Sequence, residues 1–355
     1  MARLRQMLPL SKRPLQKNGA SQGNAGSPNL HGPWPPTEAT IFFRKEEGRV
    51  LHKLKKKYAR YWQLYIFLAI PVIYILLFHY YPMLGLQIAF KKFSFKGGIW
   101  GSKWIGLYQF QKFFKAYQFK QVLTNTLILS FYSIAASFPF PVLFALTLNV
   151  IERRKFKKVA QTITYMPHFI SVVVLVGMIL QIFHPLNGLY GTFARLLTGV
   201  MPKDILASPK AFPHMYVWSG VWQSFGYNSI IYIAALTNVS GELHEAAEID
   251  GASRLQRVVH IDFPAILPTV VIMLILRMGS VMNLGFQKIY LMQNDLNISA
   301  SEVISTFVYK KGLASGAAND YSYSTAIGMF NSVVNLIMLT TVNAISRRVG
   351  ETSLW

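Results

Sequence analysis

The feature that most limits how this chain can fold is the recurrence of long apolar runs. The clearest is residues 170–182, interrupted only by Ser171, Gly177 and Gln181. No amphipathic surface helix carries such a run, because one of its faces must meet water. Six segments, near residues 64–89, 122–150, 159–184, 216–236, 265–285 and 325–345, approach or exceed the ~20 residues a helix needs to cross a bilayer core. Hydrocarbon offers no partner to a free backbone N–H or C=O, so all six are expected as α-helices. The predicted fold class is all-α: a polytopic membrane protein with six transmembrane helices. Composition agrees, with 52% hydrophobic and only 14% charged residues, more apolar surface than a soluble domain can hide.

A net charge of +22 invites a nucleic-acid reading, but the basic residues flank the apolar runs instead of forming a stripe on a folded basic domain. With the N-terminus in the cytoplasm, 22 of the 36 Lys and Arg fall on that side. Thirteen lie between Arg3 and Arg60, and the rest are Arg153, Arg154, Lys155, Lys157, Lys158, Arg254, Arg257, Arg347 and Arg348. This bias predicts cytoplasmic N- and C-termini and membrane lipid, not nucleic acid, as a partner. Thirteen more basic residues occupy the external connections, against four acids there, Asp204, Asp295, Glu302 and Asp320. Seven of them, Lys91, Lys92, Lys96, Lys103, Lys112, Lys115 and Lys120, share one loop. Two readings stand open for that loop: docking on lipid headgroups or a partner, and attraction of an anionic solute. Arg277 alone falls inside an expected span.

Residues 1–50 are rich in Pro, Gly and Ser and are expected as a disordered basic cytoplasmic tail, with a single domain over 51–355. The first long apolar run starts only near Leu64, so no cleavable signal peptide is expected. A basic stretch over 53–60, followed by Tyr61, Trp62 and Tyr65, predicts an interfacial anchor for the first span. The loop over 90–121 mixes Lys with aromatics and predicts short interfacial helices. Residues 302–311 read as a helix, and 312–320 as a flexible external tip. The absence of Cys excludes disulfides and thiolate metal sites.

The fourth–fifth loop, residues 237–263, carries the most specific pattern. Ser240 can cap a short helix, with Glu242 and Glu245 near the positive end of its dipole and Gly251 supplying the stop. Ala246 and Ala247 leave a surface with little side chain, suited to close docking against another protein. Pro264 presets the start of the fifth span and Pro268 is tolerated in its first turn. The full series is Glu245-Ala246-Ala247, then Asp250-Gly251-Ala252, a basic and apolar stretch, then Ile261-x-x-Pro264-x-x-x-Pro268.

This series resembles the coupling signature of permease subunits in binding-protein-dependent ABC importers, specifically the carbohydrate-uptake branch that includes the maltose permease. The resemblance covers roughly residues 64–348, with Val258, Val259 and Phe263 departing from the usual residues. It implies a cytoplasmic coupling helix seated in a cleft of a separate ATPase, with Glu245 facing a basic residue there. The partners it implies are a second, related permease subunit forming a heterodimer, two ATPase subunits and an extracytoplasmic solute-binding protein, all at the bacterial inner membrane. No Gly-x-x-x-x-Gly-Lys-Ser/Thr phosphate loop occurs in the chain, so ATP and Mg are expected on the partner ATPase and no cofactor on this chain. No histidine spacing fits a metal and no catalytic residues are proposed, so an enzyme is not expected.

The same resemblance points to a substrate path at Gly220, Ser224, Tyr227, Arg277, Ser280, Val281 and Leu284. Asn228, added to that path, and Trp218 and Trp222 are neighbours whose chemistry would also suit a sugar, by amide hydrogen bonding and ring stacking. The external positive excess and Arg277, which can clasp a carboxylate with two hydrogen bonds, favour an acidic oligosaccharide such as an alginate or uronate fragment over a neutral sugar. An ion-coupled secondary transporter would want acidic residues within spans, and the expected spans contain none.

Overall fold

The computed structural model describes residues 61–316 and 320–350. The expected tail over 1–50 and the basic stretch over 53–60 lie outside them. The chain divides into two compact units, Met1–Ile75 and Leu76–Trp355. In the first, the described part is helix α1 (Trp62–Ile75), which has no charged residue and no buried side chain. That is the surface of a helix whose solvent is lipid.

The described residues of the second unit are mostly helical. A π-turn (Leu76–Tyr80) and a 3-10 stretch (Leu84–Phe90) lead into strand β1 (Lys91–Lys92), which pairs antiparallel with β2 (Lys103–Trp104). The interfacial helices expected over 90–121 are thus a strand pair, a single turn at Gly98–Gly101 and one short helix, α2 (Tyr108–Lys115). The pair is closed by Lys91, whose ammonium donates to Gln87 Oε1 and to the Ile99 carbonyl, each at 2.8 Å. Lys112 pairs with Asp320 at 2.8 Å. Two of the seven basic residues of this loop therefore hold the fold together instead of standing free.

There follow α3 (Gln118–Ser137), α4 (Pro139–Val150), α5 (Arg154–Tyr165), α6 (Val172–Ile182), α7 (Leu189–Thr198), α8 (Phe212–Asn228) and α9 (Ile230–Leu236). After these come α10 (Gly241–Ile249), α11 (Phe263–Met278), α12 (Phe286–Met292), α13 (Ile304–Tyr309) and α14 (Tyr321–Gly350). The helix expected over 302–311 is α13, continued by a π-turn at Lys310–Ala314.

Among the described residues four helical stretches are long and apolar enough to span a membrane, Trp62–Phe90, Gln118–Val150, Arg254–Met278 and Tyr321–Arg348. The count of six needs the other two segments, and both are interrupted. The third is bent by 96° between Arg154–Phe169 and Val172–Ile182. Its bend follows from Pro167 in a 3-10 turn and from Ser171, whose backbone is extended and whose hydroxyl accepts the Val174 N–H to start a new helix. The fourth is divided at Ser229 into α8 of 17 residues and α9 of seven. The fifth ends at Met278, well before the expected residue 285.

Three apolar clusters hold the second unit. Leu129, Leu175, Val176, Phe212, Val217 and Ile289 join α3, α6, α8 and α12. Phe113, Val122, Met282, Ile304 and Ile327 join α2, α3, α13 and α14. Val142, Leu146, Tyr232, Leu236 and Ile266 join α4, α9 and α11. Where α8 crosses α5, a Cβ on Gly226 would lie 2.2 Å from the Thr164 carbonyl oxygen, so glycine permits a backbone approach that no other residue allows.

Candidate functional site: a docking helix and a polar cavity

The loop over 237–263 folds as its sequence directs. The Ser240 hydroxyl accepts the Glu242 N–H at 3.3 Å to open α10, a cap worth about 1 kcal/mol. Gly251 closes it at φ +79°, with Gly251 N–H on the Glu248 carbonyl and Ala252 N–H on that of Ala247. These two bonds satisfy carbonyls the helix end would otherwise leave free. Ser253 and Gln256 then form a reciprocal cap for the next turn. Glu245, Ala246 and Asp250 are exposed, beside Leu243 and Ile249, the latter 87% accessible. Bare apolar residues next to exposed acids make a surface suited to another protein.

The opposite side of α10 is tied down. His244 Nε2 lies 3.2 Å from Asp262 Oδ1, a carboxylate only 2% exposed that also accepts from Asn149 Nδ2 at 3.1 Å. Arg257 pairs with Glu248 and Arg254 with Glu152, both at 2.9 Å. Asp262 immediately precedes α11, whose first turn holds Pro264 and whose interior holds Pro268. Helix α10 is thereby fastened to the start of α11. Neither residue belongs to the loop signature, yet an acid at the threshold of an apolar helix needs a partner, and His244 and Asn149 supply it.

At its other end α11 stops with Arg277 in the last turn, where helix carbonyls favour a cation. Arg277 thus stands at the end of the helix, and it is exposed in the isolated chain. The backbone then unwinds, and two side chains of α14 hold the unwound segment, one through a backbone N–H and both through the Asn283 side chain. Asn335 Oδ1 accepts the Met282 N–H at 2.8 Å, and Asn335 and Asn331 donate to Asn283 Oδ1 at 3.1 and 3.0 Å. Irregular backbone at such a position is tolerated where it lines a cavity.

A cavity of 590 Å³ lies beside it. The residues Gly220, Ser224, Asn228, Arg277, Ser280, Val281 and Leu284 all line it. Tyr227 lines an adjoining 470 Å³ cavity that shares Arg277 and Asn228, its ring stacked on His168 at 3.9 Å. The expected set thus comes together in space. From α8 the wall takes Val217, Gly220, Val221, Ser224 and Asn228, one helical stripe. Trp218 and Trp222 are set one position round from it and do not line the cavity. Trp218 instead donates to the Tyr132 hydroxyl, which bonds His214.

Two contributions were not foreseen. From α3, Ser130, Ser133 and Ser137 line the cavity at helical spacing, and the first two hydroxyl oxygens are buried with no hydrogen-bond partner. Their i, i+3, i+7 spacing was the available signal. Lys288 of α12, counted as an external-loop charge, also lines the wall. It is 8% exposed, and burial lowers its ammonium from 10.5 to about 8. No Asp or Glu is among the lining residues.

The chain is thus a helical membrane protein with an exposed, capped helix at one end of α11 and a polar cavity at the other. Residues 123–351 match the model of the binding-protein-dependent transport system inner membrane component, and the chain belongs to that family, as its loop signature implied. Protein LplB of Bacillus subtilis is 39% identical over 82% of this chain and 91% of its own. The polygalacturonan/rhamnogalacturonan transport system permease protein YteP of the same organism is 38% identical over 90% and 98%. A solved bacterial ABC transporter involved in import of the acidic polysaccharide alginate has a chain 35% identical, with a TM-score of 0.76 over 84% of this chain and 99% of that one.

Proposed function

We propose that this chain is one permease subunit of an ATP-driven, binding-protein-dependent importer at the bacterial inner membrane, carrying an oligosaccharide that is acidic. The observation that carries the reading is the cavity itself: hydroxyl and amide groups suited to a sugar, with Arg277 present and no acid on the wall. A cation left without a counter-charge at a site that must shed water is unfavourable unless the cargo supplies the anion. Support from relatives is of the same kind, since YteP is named for polygalacturonan and rhamnogalacturonan, and the solved neighbour for alginate. A further solved structure holds that transporter with an alginate pentasaccharide-bound periplasmic protein, which supports a solute-binding partner here.

In this reading the exposed face of α10, with Glu245 and Gly251, seats in an ATPase subunit. A second permease covers the open side of the cavity, and both termini are cytoplasmic. ATP-driven closure of the ATPases acts on α10 and, through the His244–Asp262 tie, on α11. The test is reconstitution of the complete transporter with its binding protein in vesicles, comparing uptake and stimulated ATP hydrolysis for a uronate oligosaccharide and a neutral one. Preference for the uronate, lost in Arg277→Gln, is the expected result. Equal stimulation of wild type and Arg277→Gln by the neutral sugar overturns the acidic assignment.

A further inference from the structure

Lys288 sits in a seat built from three sides. Its ammonium donates to the Tyr216 carbonyl at 2.9 Å and lies 5.0 Å from the centre of the Tyr216 ring. The Tyr216 hydroxyl in turn accepts the Gly285 N–H at 3.2 Å, fixing the ring against the unwound segment that follows α11. Gly220, one turn on from Tyr216, leaves the space: a Cβ there would approach Lys288 Nζ to 3.3 Å. That is closer than ordinary contact, and what it would crowd is the ammonium itself.

The seat spends one of the three ammonium donors, and no acid lines the cavity to take the others. A lysine serving packing alone would be better replaced by an apolar residue of similar volume, because desolvating an unpaired charge is costly. The arrangement has an outlet only if the missing anion arrives from the cavity. We propose that Lys288, seated on Tyr216 and given room by Gly220, is a specificity-determining residue that binds a carboxylate of the cargo, a second cationic contact beside Arg277. This rests on the oligosaccharide reading above and gives Gly220 a definite task, to keep the ammonium free on its cavity side.

The experiment uses the complete reconstituted transporter and two probes, a uronate oligosaccharide and the same molecule with its carboxyls reduced to alcohols. Lys288→Met preserves length and apolar contacts while removing the charge. It is expected to raise the half-saturating concentration of the uronate by about tenfold or more, the size of one charge-assisted hydrogen bond, while the reduced probe shifts by less than about twofold. Gly220→Ala leaves the lysine in place and is expected to give a smaller shift with the same selectivity, which keeps the proposal testable should Lys288→Met fail to assemble. Equal shifts for both probes, or none for either, in a transporter that still prefers the uronate overturn the role of Lys288 alone. A wild-type transporter that does not distinguish the probes overturns the acidic-cargo reading and this proposal with it.

Discussion

Replacing Asn335 by leucine tests whether the unwound segment after α11 is held by α14. Asn335 is 8% exposed, its carbonyl oxygen takes the Met282 N–H at 2.8 Å, and its amide donates to Asn283 at 3.1 Å. Leucine matches its shape but leaves a buried backbone donor beyond the end of the helix, where no intrahelical carbonyl can reach it. An orphaned buried donor costs about 1–3 kcal/mol and the second bond about 0.5–1.5, so the expected loss is about 2–4 kcal/mol. Asn331→Leu is the internal control. It loses a single bond to Asn283, and the Asn331 carbonyl oxygen is already buried without a partner, so its removal costs about 0–1 kcal/mol. Unfolding by SDS titration in mixed micelles measures both. Equal costs for the two variants, or a loss under about 1 kcal/mol for Asn335→Leu, would falsify the claim that this contact keeps the helix from continuing.

Three further outcomes are expected. Gly226→Ala places a Cβ 2.2 Å from the Thr164 carbonyl oxygen, forcing α8 off α5, and should lower stability by at least about 1–3 kcal/mol in the same titration, whereas the exposed Gly241→Ala should not. Glu245→Lys reverses charge on the outward face of α10 without touching its cap or its His244 tie. It should leave the chain inserted while the ATPase no longer co-purifies, and wild-type transport by that variant would refute the docking role. For Lys288 the pKa is about 8 folded against 10.5 as its ordinary value, so between those pH values the unfolded chain binds more protons and stability from this group rises with pH. Below pH 8 both states are charged and the slope vanishes. With Tyr216 against its ammonium and His168 and Arg277 elsewhere on the same cavity wall, affinity for a uronate probe should fall as pH rises from 8, and a flat affinity profile from pH 7 to 9.5 would contradict this.

Much of the fold was legible because lipid removes choices: an apolar run of sufficient length must be helical. The breaks were less legible, because each is set by a polar side chain that satisfies backbone from elsewhere. Ser171 carries its own signal, standing after Pro167 as a serine able to cap. The end of α11 does not, since Asn335 lies more than 50 residues away from Met282 and nothing local marks the pair. The docking loop was readable to its last glycine because caps and turns are local chemistry. Lys288 was not singled out for the converse reason: a connection long enough to fold back can carry a charge onto a cavity wall, and charge counting by loop does not reveal that.

The two sites are related by one helix. α11 has 16 residues, a length of about 24 Å at 1.5 Å per residue. Its start is tied by Asp262 to His244 of α10, and its far end presents Arg277 and the segment that Asn335 holds open. Ile266 near the start and Ile275 near the end are buried against neighbours, while Pro268 leaves a missing hydrogen bond in the first half, where helices bend most easily. A displacement of α10 must therefore either move the start of α11 or break the His244–Asp262 contact, and breaking it is the costlier course, since it leaves a carboxylate 2% exposed with Asn149 alone to bond it. The helix tied to α10 is the same helix that shapes the cavity wall, which gives the fold a contiguous physical route between the coupling and cargo sites proposed above.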